Sequence, residues 1–106
     1  MYKLDFLDKE NDLNKIIKRF KKSPQPASIL FISLWDSYCK GLISKLKKKY
    51  GTKTKGEVLY IVDSFCMPHS FVIFKTTKIP HLIQLRTDNT LSEDYLPHIL
   101  KILKLN

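Results

Sequence analysis

The chain has 106 residues, 43% of them apolar, and a formal charge of +9 at pH 7. That length and apolar share describe one domain, residues 1–106, able to bury its own core, and they exclude both a disordered tail and a disulfide-stapled miniature. The longest apolar stretch, Ala27 to Trp35, is too short to span a bilayer.

The amino terminus, Met1 to Asp5, lacks the uninterrupted apolar core of a signal peptide, so an intracellular protein of cytoplasm or nucleus with no membrane partner is expected. Two cysteines in that setting are expected to be free thiols. Seventeen lysines and two arginines oppose ten carboxylate side chains. An excess of that sign favours nucleic acid or another acidic surface as partner. Arginine, the residue of bidentate phosphate and base contacts, is nearly absent, so a merely solvated lysine surface is the competing reading.

Tyr2 to Leu7 alternates as a short strand. Leu13, Ile16, Ile17 and Phe20 then fall at i, i+3, i+4 and i+7, the stripe of an amphipathic helix, which Ser23-Pro24-Gln25-Pro26 must stop. Ile29 to Leu34 reads as a strand buried on both faces. A second helix is predicted from Asp36, with Cys39, Leu42, Ile43, Leu46 and Tyr50 on one face, lysines in the last turn and Gly51 as the stop. Thr52 to Gly56 is a basic loop, and Glu57 to Asp63 a strand parallel to the previous one.

Ser64 to Lys78 has two readings. Pro68 can open a short helix holding Phe71, Val72 and Phe74, or Phe71 to Phe74 can be a strand on β-branched and aromatic content. His81 to Leu85 is a strand, and Arg86 to Thr90 a turn leading at most to a very short edge strand. Leu96, Ile99, Leu100 and Leu103 mark a last helix, with Ser92 as candidate N-cap and Glu93 and Asp94 in its first turn. Pro97 lies awkwardly deep in it, so the regular helix is expected to begin only near that residue.

The motif Trp35-Asp36-Ser37-Tyr38-Cys39-Lys40, between an apolar strand and an amphipathic helix, resembles the W-C-x-x-C-K site of the thioredoxin superfamily with aspartate in place of the first cysteine. Lys78-Ile79-Pro80 falls where that superfamily places its cis-proline loop. Pro68 is the other cis-proline candidate, but it follows Cys39 too closely for the usual strand and helix between them. The resemblance implies an α/β thioredoxin fold, a central mixed sheet of four to five strands flanked by helices. A weaker resemblance, carried by Trp35, Asp36, Cys39, Tyr60, Val62 and Asp63, is to the small thioredoxin-fold subunit of the spliceosome. That pattern has proline where this chain has Ser37, and a carboxy-terminal extension that this sequence lacks.

Thiol exchange begins with thiolate attack on a disulfide sulfur, which a carboxylate cannot perform. Asp36 is instead well suited to cap the helix. Cys39 matches the second, resolving cysteine of the motif. The positions where thioredoxins commonly keep a buried aspartate and a lysine correspond to Leu30 and Leu59. The expectation is a redox-inactive protein-interaction adaptor, of the kind a ribonucleoprotein or viral assembly would use. Its binding surface would be Trp35, Asp36, Ser37, Tyr38, Asp63, Ile79, Pro80 and His81, with Asp63 accepting from the Trp35 indole and the backbone at Ile79 and His81 pairing with an extended peptide.

Two other functions compete. One is a divergent thiol–disulfide oxidoreductase using Cys39, alone or with Cys66. The other is a nucleic-acid-binding accessory protein using Lys45, Lys47, Lys48, Lys49, Lys53 and Lys55. No cofactor is expected. No metal is expected either, since Cys66-Met67-Pro68-His69 offers two ligands where a structural zinc site takes four.

Overall fold

A computed structural model describes residues 1–87 and 91–105. The element order is β1 (Tyr2–Leu7), α1 (Glu10–Lys22), β2 (Ala27–Ile32), α2 (Ser37–Tyr50), β3 (Glu57–Asp63), α3 (Pro68–Ile73), β4 (His81–Leu85), β5 (Leu91–Asp94) and α4 (His98–Ile102). The five strands form one sheet in the order β1-β3-β2-β4-β5. β1, β3 and β2 are parallel, whereas β4 and β5 run antiparallel to their neighbours.

Alternation along β2 assigns the two faces of the sheet. Leu30 and Ile32 point to the side covered by α2 and α4, in a cluster with Cys39, Leu42, Ile43, Leu46, Tyr50, Ile99 and Leu103. Ile29 and Phe31 point to the side covered by α1 and α3, where they meet Leu13, Ile16 and Met67. The predicted stripe of α2 is buried at all five positions. That of α1 buries Leu13 and Ile16 and packs Ile17 and Phe20 at the margin.

Several expectations are corrected. β2 ends at Ile32, and Leu34, read as part of the buried strand, is exposed. Of the two readings of 64–78, the short helix is the one found, over Pro68–Ile73, and the strand reading of 71–74 is not. Pro68 opens α3, where its missing N–H costs nothing, and the N–H of Ser70 donates to Glu10 Oε1 at 2.7 Å. The i, i+3 pair Phe71 and Phe74 then both reach Phe31, with centroids 5.2 and 5.4 Å away, while Val72 and Ile73 face solvent.

Ser92, Glu93 and Asp94 do not begin a helix. They lie in β5, where Leu82 pairs with Asp94 and Gln84 with Ser92, so the backbone of β4 supplies the bonds that a helical turn would have made locally. Helix α4 begins at His98, directly after Pro97, as the proline requires. The turn expected at Arg86–Thr90 lies in part outside the described residues.

Gly56 has φ +116°, and a Cβ there would stand 2.6 Å from the Met1 carbonyl oxygen, so the approach of β1 to β3 needs glycine. Among the described residues no helix is long and apolar enough to cross a membrane.

Candidate functional site

Three loops leave one end of the sheet. Ile32, the last residue of β2, pairs with Asp63, the last of β3, and Phe31 pairs with His81, the first of β4. The chain therefore carries Trp35 and Asp36, then Phe65 and Cys66, then Ile79 and Pro80 at that same end. The peptide bond before Pro80 is cis, and so is that before Pro97, whereas Pro68 follows a trans bond.

Asp36 is the N-cap of α2. Its backbone is extended, and its Oδ2 accepts from the N–H of Cys39 at 2.9 Å. Cys39, one turn into the helix, is fully buried in the apolar cluster that also holds Leu30 and Leu59. Burial above all pushes its thiol up to about 11; the backbone of Ser33 opposes it next in size, and the hydrogen bond and charge of Asp36 and the charge of Asp63 add smaller raising contributions. At pH 7 such a group is thiolate in only about one molecule in ten thousand. Cys39 and Cys66 are both free, the first buried and the second exposed.

Asp63 does not take the Trp35 indole, contrary to the sequence expectation. Its Oδ1 accepts the N–H of Leu34 at 2.9 Å, and its carbonyl accepts the N–H of Met67. Because Asp63 sits opposite the last residue of β2, its carboxylate meets the backbone just past the strand. It thus ties the β2–α2 loop to the β3–α3 loop, and Trp35 is left to project outward, 79% exposed. Its ring lies against that of Phe65, 71% exposed, with centroids 6.1 Å apart at 56°. Leu34, Tyr38 and Ile79 are exposed at this end as well.

Of the residues proposed for binding, Trp35, Ser37, Tyr38 and Ile79 are exposed, Asp36 is half-buried, and Pro80, Asp63 and His81 are buried. His81 offers no accessible side chain. Its Nδ1 lies 3.0 Å from Thr76 Oγ1, and its ring stacks on Tyr95, centroids 4.6 Å apart, and on Phe31. Burial lowers its pKa, against weaker raising by Glu93 and Asp94. Phe65 escaped sequence reasoning. The available signal was an aromatic residue two positions past β3, in register with Trp35 three positions past β2.

The lysine candidates lie elsewhere. Lys45, Lys47, Lys48 and Lys49 occupy the later turns of α2, about 21 Å long, and Lys53 and Lys55 the loop before β3, all exposed. Lys53 and Lys55 lie at the end of the sheet opposite Trp35, toward which α2 runs, and Lys47 reaches Phe6 on β1, so the lysines and the Trp35 loop cluster do not form one site. Among the described residues no three His, Cys, Asp or Glu side chains come together as a metal-binding group.

No known protein family matches the sequence, and no curated protein resembles it closely enough in sequence to match. Solved structures do match in shape. Thioredoxin from Schistosoma mansoni superposes with a TM-score of 0.73 at 14% identity, covering 96% of this chain and 94% of that one. Thioredoxin O2 from Arabidopsis thaliana, in its oxidized state, gives 0.72 at 15% identity over 96% and 90%. The germline-specific thioredoxin Deadhead of Drosophila melanogaster gives 0.61 at 23% identity over 94% and 95%. With the strand order and the Asp36–Cys39 helix start, these superpositions show that the chain has the thioredoxin fold.

Proposed function

We propose that this chain is a redox-inactive thioredoxin-fold adaptor that binds a protein through the apolar rim around Trp35. The observation that carries the reading is the pairing of Asp36 with Cys39. A carboxylate holds the helix-capping position where the resemblance puts an attacking thiolate, and the motif's other thiol, Cys39, is buried, protonated and in an apolar cluster rich in leucine. Exchange needs an accessible thiolate, and this end of the sheet offers none at Cys39.

What the same end does offer is contact area. Trp35, Phe65, Leu34, Tyr38 and Ile79 are exposed together at the loop cluster, and aromatic anchors of this kind dominate protein interfaces. Asp63 fixes the loop that bears Trp35, so little ordering entropy is lost when a partner docks. A partner in a ribonucleoprotein or viral assembly, with acidic surface to offer, suits the charge of the chain.

The test has two arms. The protein should not accelerate disulfide reduction of insulin by dithiothreitol, and Cys39→Ser should change nothing. In selection from a random peptide display library, sequences with aromatic or aliphatic anchors should be enriched on the wild type and lost on Trp35→Ala and Phe65→Ala. Enrichment indifferent to both substitutions would defeat the adaptor reading.

The oxidoreductase reading draws on the thioredoxins among the structural neighbours and on the motif position of Cys39. It requires Cys39 to attack a substrate disulfide, forming a mixed disulfide and releasing one thiolate. Insulin reduction that vanishes in Cys39→Ser would establish it.

A further inference from the structure

The net charge of +9 is not spread over the molecule. Residues 37–56 carry seven lysines and residues 95–106 carry two, and neither stretch contains a carboxylate side chain. Residues 1–36 contribute a net +2 and residues 57–94 a net −2, so the rest of the chain is neutral in sum. The fold brings the two carboxylate-free stretches together, because α2 and α4 cover the same face of the sheet and share one core cluster.

Their polar sides meet at a seam. Lys49 Nζ donates to the Lys104 carbonyl, and Tyr50 Oη donates to the Leu103 carbonyl at 2.8 Å. A cleft of about 240 Å³ opens between Lys45, Lys48, Lys49, Lys104 and Leu105. Of the basic side chains elsewhere, Arg86 is answered by Glu57 at 2.9 Å, and α1 carries Glu10 and Asp12 in its first turn with Arg19, Lys21 and Lys22 in its last. The last turn of α1 is a second basic cluster, but it lies on one helix alone, whereas α2 and α4 pool their lysines around a common cleft.

We propose that the α2–α4 face is a docking surface for the phosphodiester backbone of duplex nucleic acid, bound without sequence preference. Lys40, Lys101 and Lys104 join the lysines 45–55 on it. Its residues choose the partner. Lysine is a point-charge phosphate contact rather than a base reader, and exposed arginine is missing from the face. A single strand is usually held by stacking on several exposed aromatic rings, and here Tyr38 lies in the first turn of α2 while Phe6 already has the Lys47 ammonium over it, 5.1 Å from the ring centroid. A surface offering charge alone gains most from the highest linear charge density, which a duplex presents at about twice that of one strand. A membrane or a globular acidic protein would ask for a cluster of exposed apolar anchors, and the cluster of Leu34, Trp35, Phe65 and Ile79 lies at the other end, with Phe6 alone beside these lysines.

The experiment is fluorescence anisotropy with labelled 20-base-pair DNA and RNA duplexes, in a salt series from 50 to 200 mM. The matched single strand, polyglutamate and phosphatidylserine vesicles serve as competing probes. Duplex should bind most tightly, with log K falling linearly in log salt. Replacing Lys45, Lys48 and Lys49 together by Glu should weaken binding at least tenfold, and replacing them by Gln should weaken it less but flatten the salt slope by about 2 to 3. Replacing Lys18, Lys21 and Lys22 of α1 by Glu removes the same charge from another face and should cost under about threefold. Equal losses in the two Glu triples, or a duplex bound no better than the single strand, polyglutamate or vesicles, would overturn the assignment. Circular dichroism of each variant separates loss of binding from loss of fold.

Discussion

The carboxylate of Asp36 accepts a hydrogen bond from the N–H of Cys39 at 2.9 Å, so the residue that displaces the motif's first cysteine also closes the first turn of α2. One substitution thus removes a nucleophile and supplies a cap. Asp36→Ala should cost about 1 kcal/mol of stability, a fall in Tm of about 4–8 °C for a domain of this size. Asp36→Asn keeps an acceptor oxygen and should stay within a few tenths of a kcal/mol of wild type. Thermal unfolding followed by circular dichroism reads both; equal losses would assign the effect to the carboxylate charge rather than to the acceptor, and no loss in Asp36→Ala would show that the side chain caps nothing.

The two thiols should behave as opposites. In the native protein Ellman's reagent should titrate one equivalent, from exposed Cys66, and a second only after denaturant exposes Cys39. Fast native reaction of two equivalents would contradict the burial of Cys39 and the inactivity built on it.

Alkaline pH probes the same burial thermodynamically. Cys39 has its pKa raised from 9.0 to about 11, so between those values the unfolded chain releases a proton that the folded one keeps. The folded state binds more protons there, and stability must fall as pH rises through that window. Tyr2 and Tyr50, also raised, first of all by burial, act with the same sign above 10.0. Urea denaturation from pH 8 to 11 should therefore show a decline that is shallower in Cys39→Ala. Parallel curves for the two proteins would remove Cys39 as a cause.

Trp35 gives the proposed adaptor surface an optical handle. It is the sole tryptophan and 79% exposed, so its emission should be red-shifted and readily quenched by acrylamide in the native protein, changing little on unfolding. A bound partner should blue-shift and shield it. Trp35→Ala should leave stability within about 0.5 kcal/mol, because an exposed ring contributes little to the core.

The periodic parts of the fold were plain in the sequence. The five-residue stripe of α2 and the strand 57–63 were legible because each element buries one face, or both, and writes that burial at its own period. What escaped was written by tertiary partners. Leu91-Ser92-Glu93-Asp94 has no strand propensity of its own and extends because β4 presents an unpaired edge. Phe71 to Phe74 has strand composition but helical spacing, and Phe31 beneath it decides. At the site, Trp35, Asp36 and Cys39 were visible as a motif. Phe65 was not singled out, although a strand 57–63 parallel to the one before Trp35 already put the residues after both at one end; its exposure and its contact with the Trp35 ring depend on how the two loops pack. The union of Lys104 with Lys45–Lys49 likewise depends on how α4 docks.

His81 offers the last test, at the acid side. Its ring is buried between Tyr95 and Phe31, and Nε2 makes no hydrogen bond, with Glu93 Oε1 at 3.8 Å. Burial lowers its pKa below 6.5, and Glu93 and Asp94 recover part of that. Below pH 6.5 the unfolded chain takes up a proton that folded His81 resists, so stability is lost as pH falls. The urea midpoint should drop more steeply between pH 7 and 5 in wild type than in His81→Phe, which keeps the stacked ring but cannot titrate. Glu93→Gln removes the principal raising charge, so the His81 pKa followed by NMR should move lower still. A His81 that titrates at or above 6.5, or one indifferent to Glu93→Gln, would mean that solvent reaches Nε2 and that the start of β4 is not the dry, stacked joint described.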